Sequence, residues 1–123
     1  MNPGDTFRFT DPRDEPHLWI VLSEPGRVAV IVSASTKNLG LDLPIIEPGE
    51  HPSLSLRSFV RCDRARLVAA DGLQQTLDRG VIHQSHPLSP GLLARIRAAI
   101  LASEHTPGEI KEVLQPTRPR GGR

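Results

Sequence analysis

Residues 17–35, HLWIVLSEPGRVAVIVSAS, contain two apolar runs separated by a Pro-Gly pair. Residues 17–23 form a continuous apolar run, which is typical of a central strand buried on both faces. The Glu-Pro-Gly at 24–26 predicts a tight turn, because proline presets φ and glycine supplies the left-handed position. Residues 27–35 then return as the next strand. The stretch therefore predicts a β-hairpin.

Shorter strands are predicted on either side of the hairpin. Twelve prolines and ten glycines break the chain into short segments, which favours many short strands. Residues 5–9 alternate phenylalanine with polar side chains and predict a half-buried strand. Residues 41–47 predict another, which Pro44 confines to a sheet edge or a bulge. Residues 58–68, SFVRCDRARLV, predict a further strand.

The spacing of apolar residues becomes helical from Asp71 onward. Residues 71–79 predict a short helix with Asp71 as N-cap and Gly80 as its C-terminal stop. The clearest helix follows, with Ser89 as N-cap and Pro90 in the first helical position, where a missing N–H costs nothing. One apolar stripe along it predicts the face that packs on the core: Leu92, Leu93, Ile96, Ala99 and Ile100.

A last short helix is predicted from Thr106 onward. Thr106 and Glu109 fit a capping box with Pro107 in the first helical position. Ile110, Val113 and Leu114 give this helix one apolar face, which could extend a dimer interface.

The order of these elements predicts a mainly β fold. Strands first and helices last, without β-α-β alternation, point to a small twisted antiparallel barrel with a C-terminal helix packed on it. A chain of 123 residues fits one domain, which we place at residues 1–115. Residues 116–123 predict a disordered basic tail.

Charge and composition limit the partners. The last eight residues hold three arginines and no acid, so the body carries 12 basic and 14 acidic residues, a net charge of −2. A broad nucleic-acid footprint is therefore not expected, and base-stacking platforms are scarce with no Tyr, three Phe and one Trp. Any RNA contact must be local. No leader or membrane segment is evident, so a cytoplasmic protein is expected.

The chain contains, in this order, the segments GDTFRFTDP, HLWIVLSEP, VAVIVSAST, SFVRCDRARLV and LSPGLLARIRAAILAS. Through these segments, residues 4–102 resemble the PemK/MazF family of toxin-antitoxin endoribonucleases. The similarity is distributed and covers about four-fifths of the chain. In one place the chain departs from the family: His17-Leu18 stands where members have an Arg-Pro pair, so the arginine of that pair is missing.

The resemblance implies an SH3-like barrel closed by a C-terminal helix. It further implies a bacterial homodimer that cleaves single-stranded RNA without a metal ion and is neutralised by an antitoxin protein. No cofactor, membrane or DNA partner is expected.

Site residues follow from the same resemblance. Arg61 and Asp63 match an arginine and an aspartate that members use as acid and base, and His17 could replace the loop histidine or the lost arginine. Ser35 and Thr36 match hydroxyls that contact phosphate. Arg57 is a further candidate for substrate binding.

The residues themselves leave other interpretations open. Arg61 and Asp63, two apart on a regular strand, would share one face. Asp63 would need its pKa raised from about 3.9 to act as an acid. Without that, the two form a strand-surface ion pair worth at most about 1 kcal/mol. His17 could be a structural residue at the start of a strand.

Three further features are weaker candidates. His51 lies in a stiff turn that could be a binding loop, and His83 and His86 are spaced like two ligands of a metal site that lacks further ligands. Cys62 is expected to be a buried structural thiol. The alternative to an RNA-acting protein is a non-catalytic barrel of the same fold that binds a protein by strand addition at an exposed edge.

Overall fold

The computed structural model describes residues 1–11, 13, 16–24 and 26–115, and the predicted tail lies outside them. These residues form seven strands and three α-helices. The strands are β1 (Thr6–Phe9), β2 (Leu18–Val21), β3 (Val28–Ser35), β4 (Ile45–Ile46), β5 (Ser58–Val60), β6 (Arg66–Ala69) and β7 (Ile82–Ser85). The helices are α1 (Ala70–Asp78), α2 (Pro90–Ala102) and α3 (Gly108–Leu114).

All strand pairs in the sheet are antiparallel. The strand order is β4-β5-β3-β2-β1-β7, and β6 pairs with β3 beside β5. Among the described strands no pairing joins the two ends of this order, so the sheet is open and not closed into a barrel. The prediction of a small antiparallel β domain with helices is confirmed at this level.

The predicted hairpin is confirmed as β2 and β3. Leu18 pairs with Ala34 and Val21 with Ile31, and every residue of β2 is buried. Burial on both faces follows from the two layers of helices. Leu18 and Ile20 pack in the core under α2 and α3, whereas Trp19 and Val21 pack in a second core under α1.

The predicted strand at 58–68 is wrong in its middle. β5 ends at Val60, a 3-10 turn spans Cys62–Arg64, and β6 begins at Arg66. The turn is closed by the Arg64 and Ala65 N–H groups, which donate to the Arg61 and Cys62 carbonyls at 3.0 and 3.3 Å. It buries Cys62 in the core under α2 and lets β5 and β6 pair with different halves of β3.

Other predicted boundaries also shift. The strand expected at 41–47 is reduced to Ile45–Ile46, and β7 follows α1, so the strands do not all precede the helices. Ala69 rather than Asp71 is the N-cap of α1, while Gly80 has the left-handed φ of +74° expected of a helix stop.

The two C-terminal helices pack on the face of the sheet formed by Leu18, Ile20 and Val32. The Ser89 hydroxyl accepts from the Leu92 N–H at 3.2 Å, which confirms the predicted cap of α2. Leu92, Ile96 and Ile100 are buried as expected. No described helix is long and apolar enough to cross a membrane.

The prediction of a capping box at the start of α3 is wrong. Pro107 is its N-cap, and the Thr106 hydroxyl donates instead to the Ile100 carbonyl at 2.7 Å. Ile110 and Leu114 are buried in the protein's own core, and of the three apolar residues only Val113 is exposed. The apolar face of α3 therefore packs mainly within the chain, and Val113 is the part of it that lies on the surface.

Candidate functional site

Arg61 and Asp63 form a two-point ion pair at the 3-10 turn. The Arg61 Nε and Nη2 atoms donate to Oδ1 and Oδ2 of Asp63 at 2.9 and 2.7 Å. Only 15% of the Arg61 side chain and 18% of the Asp63 side chain are exposed. The Arg61 N–H donates to the Ser33 carbonyl at 2.8 Å and so fixes the pair beside β3. The structure thus brings these two predicted residues together through a turn, not through a shared strand face.

The electrostatics of this pair differ from what an acid needs. The two hydrogen bonds from Arg61 lower the pKa of Asp63 and outweigh the opposing effect of burial. The same bonds raise the pKa of Arg61. Asp63 is therefore ionised at neutral pH, and it cannot donate a proton to a leaving group there.

His17 and Thr36 line a different part of the surface, which we call the basic groove. This groove has a volume of about 250 Å³, and neither Arg61 nor Asp63 lines it. No carboxylate is among the described residues that line it. Its polar lining is Arg8, His17, Thr36, Ser53, Ser55 and Ser58.

Arg8 is held across the basic groove by two backbone carbonyls. Its Nη1 atom donates to the Pro16 carbonyl at 2.9 Å, and its Nη2 atom donates to the Ser53 carbonyl at 3.2 Å. Among the described residues it forms no ion pair with a carboxylate. A guanidinium carries five N–H donors, so three remain beyond these two bonds to described residues.

His51 supports this groove from beneath. Its ring is buried, Nδ1 accepts from the Ser53 N–H at 3.1 Å, and Nε2 lies 2.6 Å from the His86 carbonyl. Because a backbone N–H can only donate and a carbonyl can only accept, the neutral Nε2–H tautomer is fixed. The Ser53 hydroxyl also bonds the Ser85 hydroxyl at 2.8 Å. His51 is therefore a structural residue that positions Ser53, not part of an exposed binding loop.

The remaining candidates lie outside the basic groove. The Ser35 hydroxyl accepts from the Lys37 N–H at 3.2 Å and so serves its own turn. Arg57 is neutralised by Glu47, with Nε and Nη2 at 2.6 and 3.1 Å from the carboxylate oxygens. Cys62 is buried, as expected of a structural thiol.

His83 lies in β7, and His86 follows the end of that strand. His83 is exposed opposite Arg8, and His86 contributes its backbone carbonyl to the His51 and Thr6 hydrogen bonds. Within the described ranges no group of three or more His, Cys, Asp or Glu side chains could hold a metal ion.

Sequence reasoning missed Arg8 and the serines of the 53–58 loop. Alternation along β1 already places Arg8 on the face opposite Phe7 and Phe9. The sequence alone does not predict that the chain path brings residues 53–58 next to Arg8 in the same groove.

Comparison of the chain with models of known protein families finds no match, and comparison with curated proteins finds no significant match.

Proposed function

We propose that the protein is a divergent PemK/MazF-like protein of the cytoplasm, an open form of the SH3-like barrel, which binds single-stranded RNA and cleaves it without a metal ion. The basic groove carries this proposal, because a guanidinium, an imidazole and several hydroxyls converge there without a carboxylate among the described lining residues. Such a set is suited to the phosphates of a flexible strand, whereas the net charge of the body argues against a broad duplex footprint.

Arg8 is the proposed phosphate ligand. Its two bonds to backbone carbonyls hold the guanidinium in place and leave donors for the oxygens of one phosphate. The hydroxyls of Thr36 and Ser55 lie in the same groove and can donate to neighbouring oxygens. Binding through these groups contacts the backbone of the strand rather than the edges of its bases.

His17 is the proposed proton-transfer group. Cleavage by the 2′-hydroxyl requires a base for that hydroxyl and a cation for the charge that builds on the phosphate. An imidazole exchanges protons near neutral pH, which the ionised Asp63 does not. Arg8 supplies the cation in the same groove.

In this proposal the Arg61–Asp63 pair lies beside the basic groove and contacts the RNA outside it. Ala34 and Thr36 line the basic groove, and Arg61 bonds the Ser33 carbonyl, so both sites are built on the end of β3. An RNA strand that follows this end of β3 would meet Arg61 after leaving the groove. Asp63 then orients the Arg61 guanidinium and takes no proton.

Cleavage of a fluorescent single-stranded RNA in EDTA tests the enzyme proposal. We expect cleavage by the wild type, a loss of about 100-fold or more in His17→Ala, and an unchanged rate in Arg79→Ala, an exposed arginine outside the groove. Arg61→Ala should lose less than His17→Ala. A larger loss in Arg61→Ala would move the chemistry to the ion pair, and no cleavage by the wild type would contradict the enzyme.

We propose two partners from the same resemblance, a second copy of the chain and an antitoxin protein. A homodimer and an antitoxin protein are part of the same proposal, and an acidic antitoxin segment would be complementary to the Arg8 side chain in the groove. Sedimentation equilibrium of the purified chain tests the dimer, and a monomer at micromolar concentration would remove that part.

A second candidate function is protein binding by strand addition, which would make the domain a non-catalytic module. β7 stands at the end of the strand order and pairs with β1 alone among the described strands. Its free edge can accept an extended peptide. Hydrogen exchange tests this candidate: partner binding should protect β7 amides, whereas protection confined to the basic groove would contradict it.

A further inference from the structure

A second cavity lies on the opposite side of the sheet, between the strands and α1. It has a volume of about 270 Å³ and shares no lining residue with the basic groove. Its walls are mostly apolar and include two aromatic rings besides Trp19. The main apolar contributors are Phe7, Phe9, Ile31, Val68, Leu73 and Ile82.

Trp19 lines this cavity with its indole ring. Its side chain stacks on Phe7, with ring centroids 6.4 Å apart and an angle of 10° between the planes. Trp19 is only 5% exposed, and its Nε1–H has no hydrogen-bond partner among the described residues. The Nε1 atom is also shielded from solvent, so a ligand in the cavity meets the apolar atoms of the ring and not its N–H.

Positive charge surrounds the same site. The Arg66 guanidinium lies 5.4 Å from the centre of the Trp19 ring and forms no ion pair with a described carboxylate. Ala69 and Gly72, at the start of α1, line the cavity, and no side chain caps this helix. The helix start contributes further partial positive charge. Asp71 in the first turn is exposed and does not line the cavity.

We propose that this cavity binds a small planar aromatic carboxylate. The apolar walls and the Trp19–Phe7 stack accept the ring, and Arg66, which lines the cavity beside the start of α1, holds the carboxylate. A whole nucleotide fits poorly, because Thr76 is the remaining described lining residue with a polar side chain, and its hydroxyl already donates to the Leu73 carbonyl at 2.6 Å. In the described lining the Thr76 hydroxyl oxygen is then the one side-chain acceptor left for the edge of a base, and a single acceptor does not select a base.

Trp19 itself reports on binding. The chain holds one Trp and no Tyr, so fluorescence excited at long wavelength comes from Trp19 alone. We expect saturable quenching by benzoate, and affinity lower by about tenfold or more for benzamide, which has the same ring without the charge. Cyclohexanecarboxylate, with the charge but no aromatic ring, should also bind more weakly than benzoate.

Two variants separate a built site from weak surface binding. Arg66→Met should weaken benzoate by about tenfold and leave benzamide unchanged, while the exposed Arg64→Met should alter neither. Equal affinity for benzoate and benzamide, no saturable benzoate binding in the wild type, or an unchanged affinity in the folded Arg66→Met variant would each overturn the proposal.

Discussion

Replacing Asp63 with asparagine should destabilise the protein measurably, because the shape of the side chain is kept while its charge is lost. Arg61 would then be left without its anionic partner at a position where only 15% of its side chain is exposed. Exposed ion pairs contribute about 0–1 kcal/mol, and breaking a fully buried pair costs about 3–5 kcal/mol. The two-point geometry and the partial shielding place Asp63→Asn between these limits, at about 2 kcal/mol.

A double-mutant cycle isolates the pair from other effects. Urea unfolding at pH 7, followed by circular dichroism, gives the free energy of unfolding of the wild type, Asp63→Asn, Arg61→Met and the double variant. We expect a coupling energy of about 1–2 kcal/mol, with the double variant more stable than the sum of the two single losses implies. A cost below about 0.5 kcal/mol for Asp63→Asn, or a coupling near zero, would refute this reasoning.

The pH dependence of the same difference gives an independent check. Because the folded pKa of Asp63 lies below its ordinary value of 3.8, the stabilisation is fully present above that value. It is lost as the pH falls through the folded pKa. The gap between the wild type and Asp63→Asn should therefore close in acid, and a gap that widens in acid would contradict the direction of the shift.

Three further predictions concern the scaffold, each read from chemical unfolding. Ser89→Ala removes the cap of α2 and should cost about 1 kcal/mol, whereas Ser89→Asp should retain most of the stability. Ile96→Ala leaves a cavity beneath the buried face of α2 and should cost about 2–5 kcal/mol, with the exposed Ala94→Ser as a near-neutral control. The Arg95 hydrogen bonds lower the pKa of Glu50 to about 2, so the advantage of the wild type over Glu50→Gln should be full above pH 4.5 and fade toward pH 2, and a constant difference would refute the shift.

The hairpin and α2 could be predicted from sequence because their signals are local. An uninterrupted apolar run, a Pro-Gly turn and a Ser-Pro helix start each determine structure within a few residues. The Arg61–Asp63 contact was also predictable, since residues two apart can meet either on a strand face or through a turn.

The turn that forms this contact could not be predicted in the same way. The segment around Cys62 has strand-like composition throughout, and the turn is set by burial of the Cys62 thiol and by two different pairings along β3. Likewise, the start of α3 is determined by a contact outside that helix, because the Thr106 hydroxyl donates to the Ile100 carbonyl instead of capping α3. The basic groove depends on contacts across 45 residues of chain, as in the Arg8–Ser53 hydrogen bond.

The basic groove can be perturbed at Ser55 without touching the hydrogen bonds that hold Arg8. Ser55 is exposed and lines the groove, so Ser55→Glu introduces a negative charge beside Arg8, and Ser55→Ala serves as its matched control. Arg8→Gln removes the proposed phosphate ligand directly. Its thermal stability must be measured alongside, because Arg8 also tethers the loop at Ser53.

Fluorescence anisotropy can test whether Arg8 binds an RNA phosphate in the basic groove. The affinity of these variants for a labelled single-stranded RNA is measured in EDTA over a range of salt concentrations. We predict that Arg8→Gln and Ser55→Glu bind more weakly than the wild type. We also predict that Arg8→Gln makes the negative slope of log affinity against log salt less steep by about 0.7, the value for one phosphate contact. Ser55→Ala should change neither the affinity nor the slope. Equal affinity and equal slope in the wild type and folded Arg8→Gln would contradict the assignment of Arg8 as the phosphate ligand.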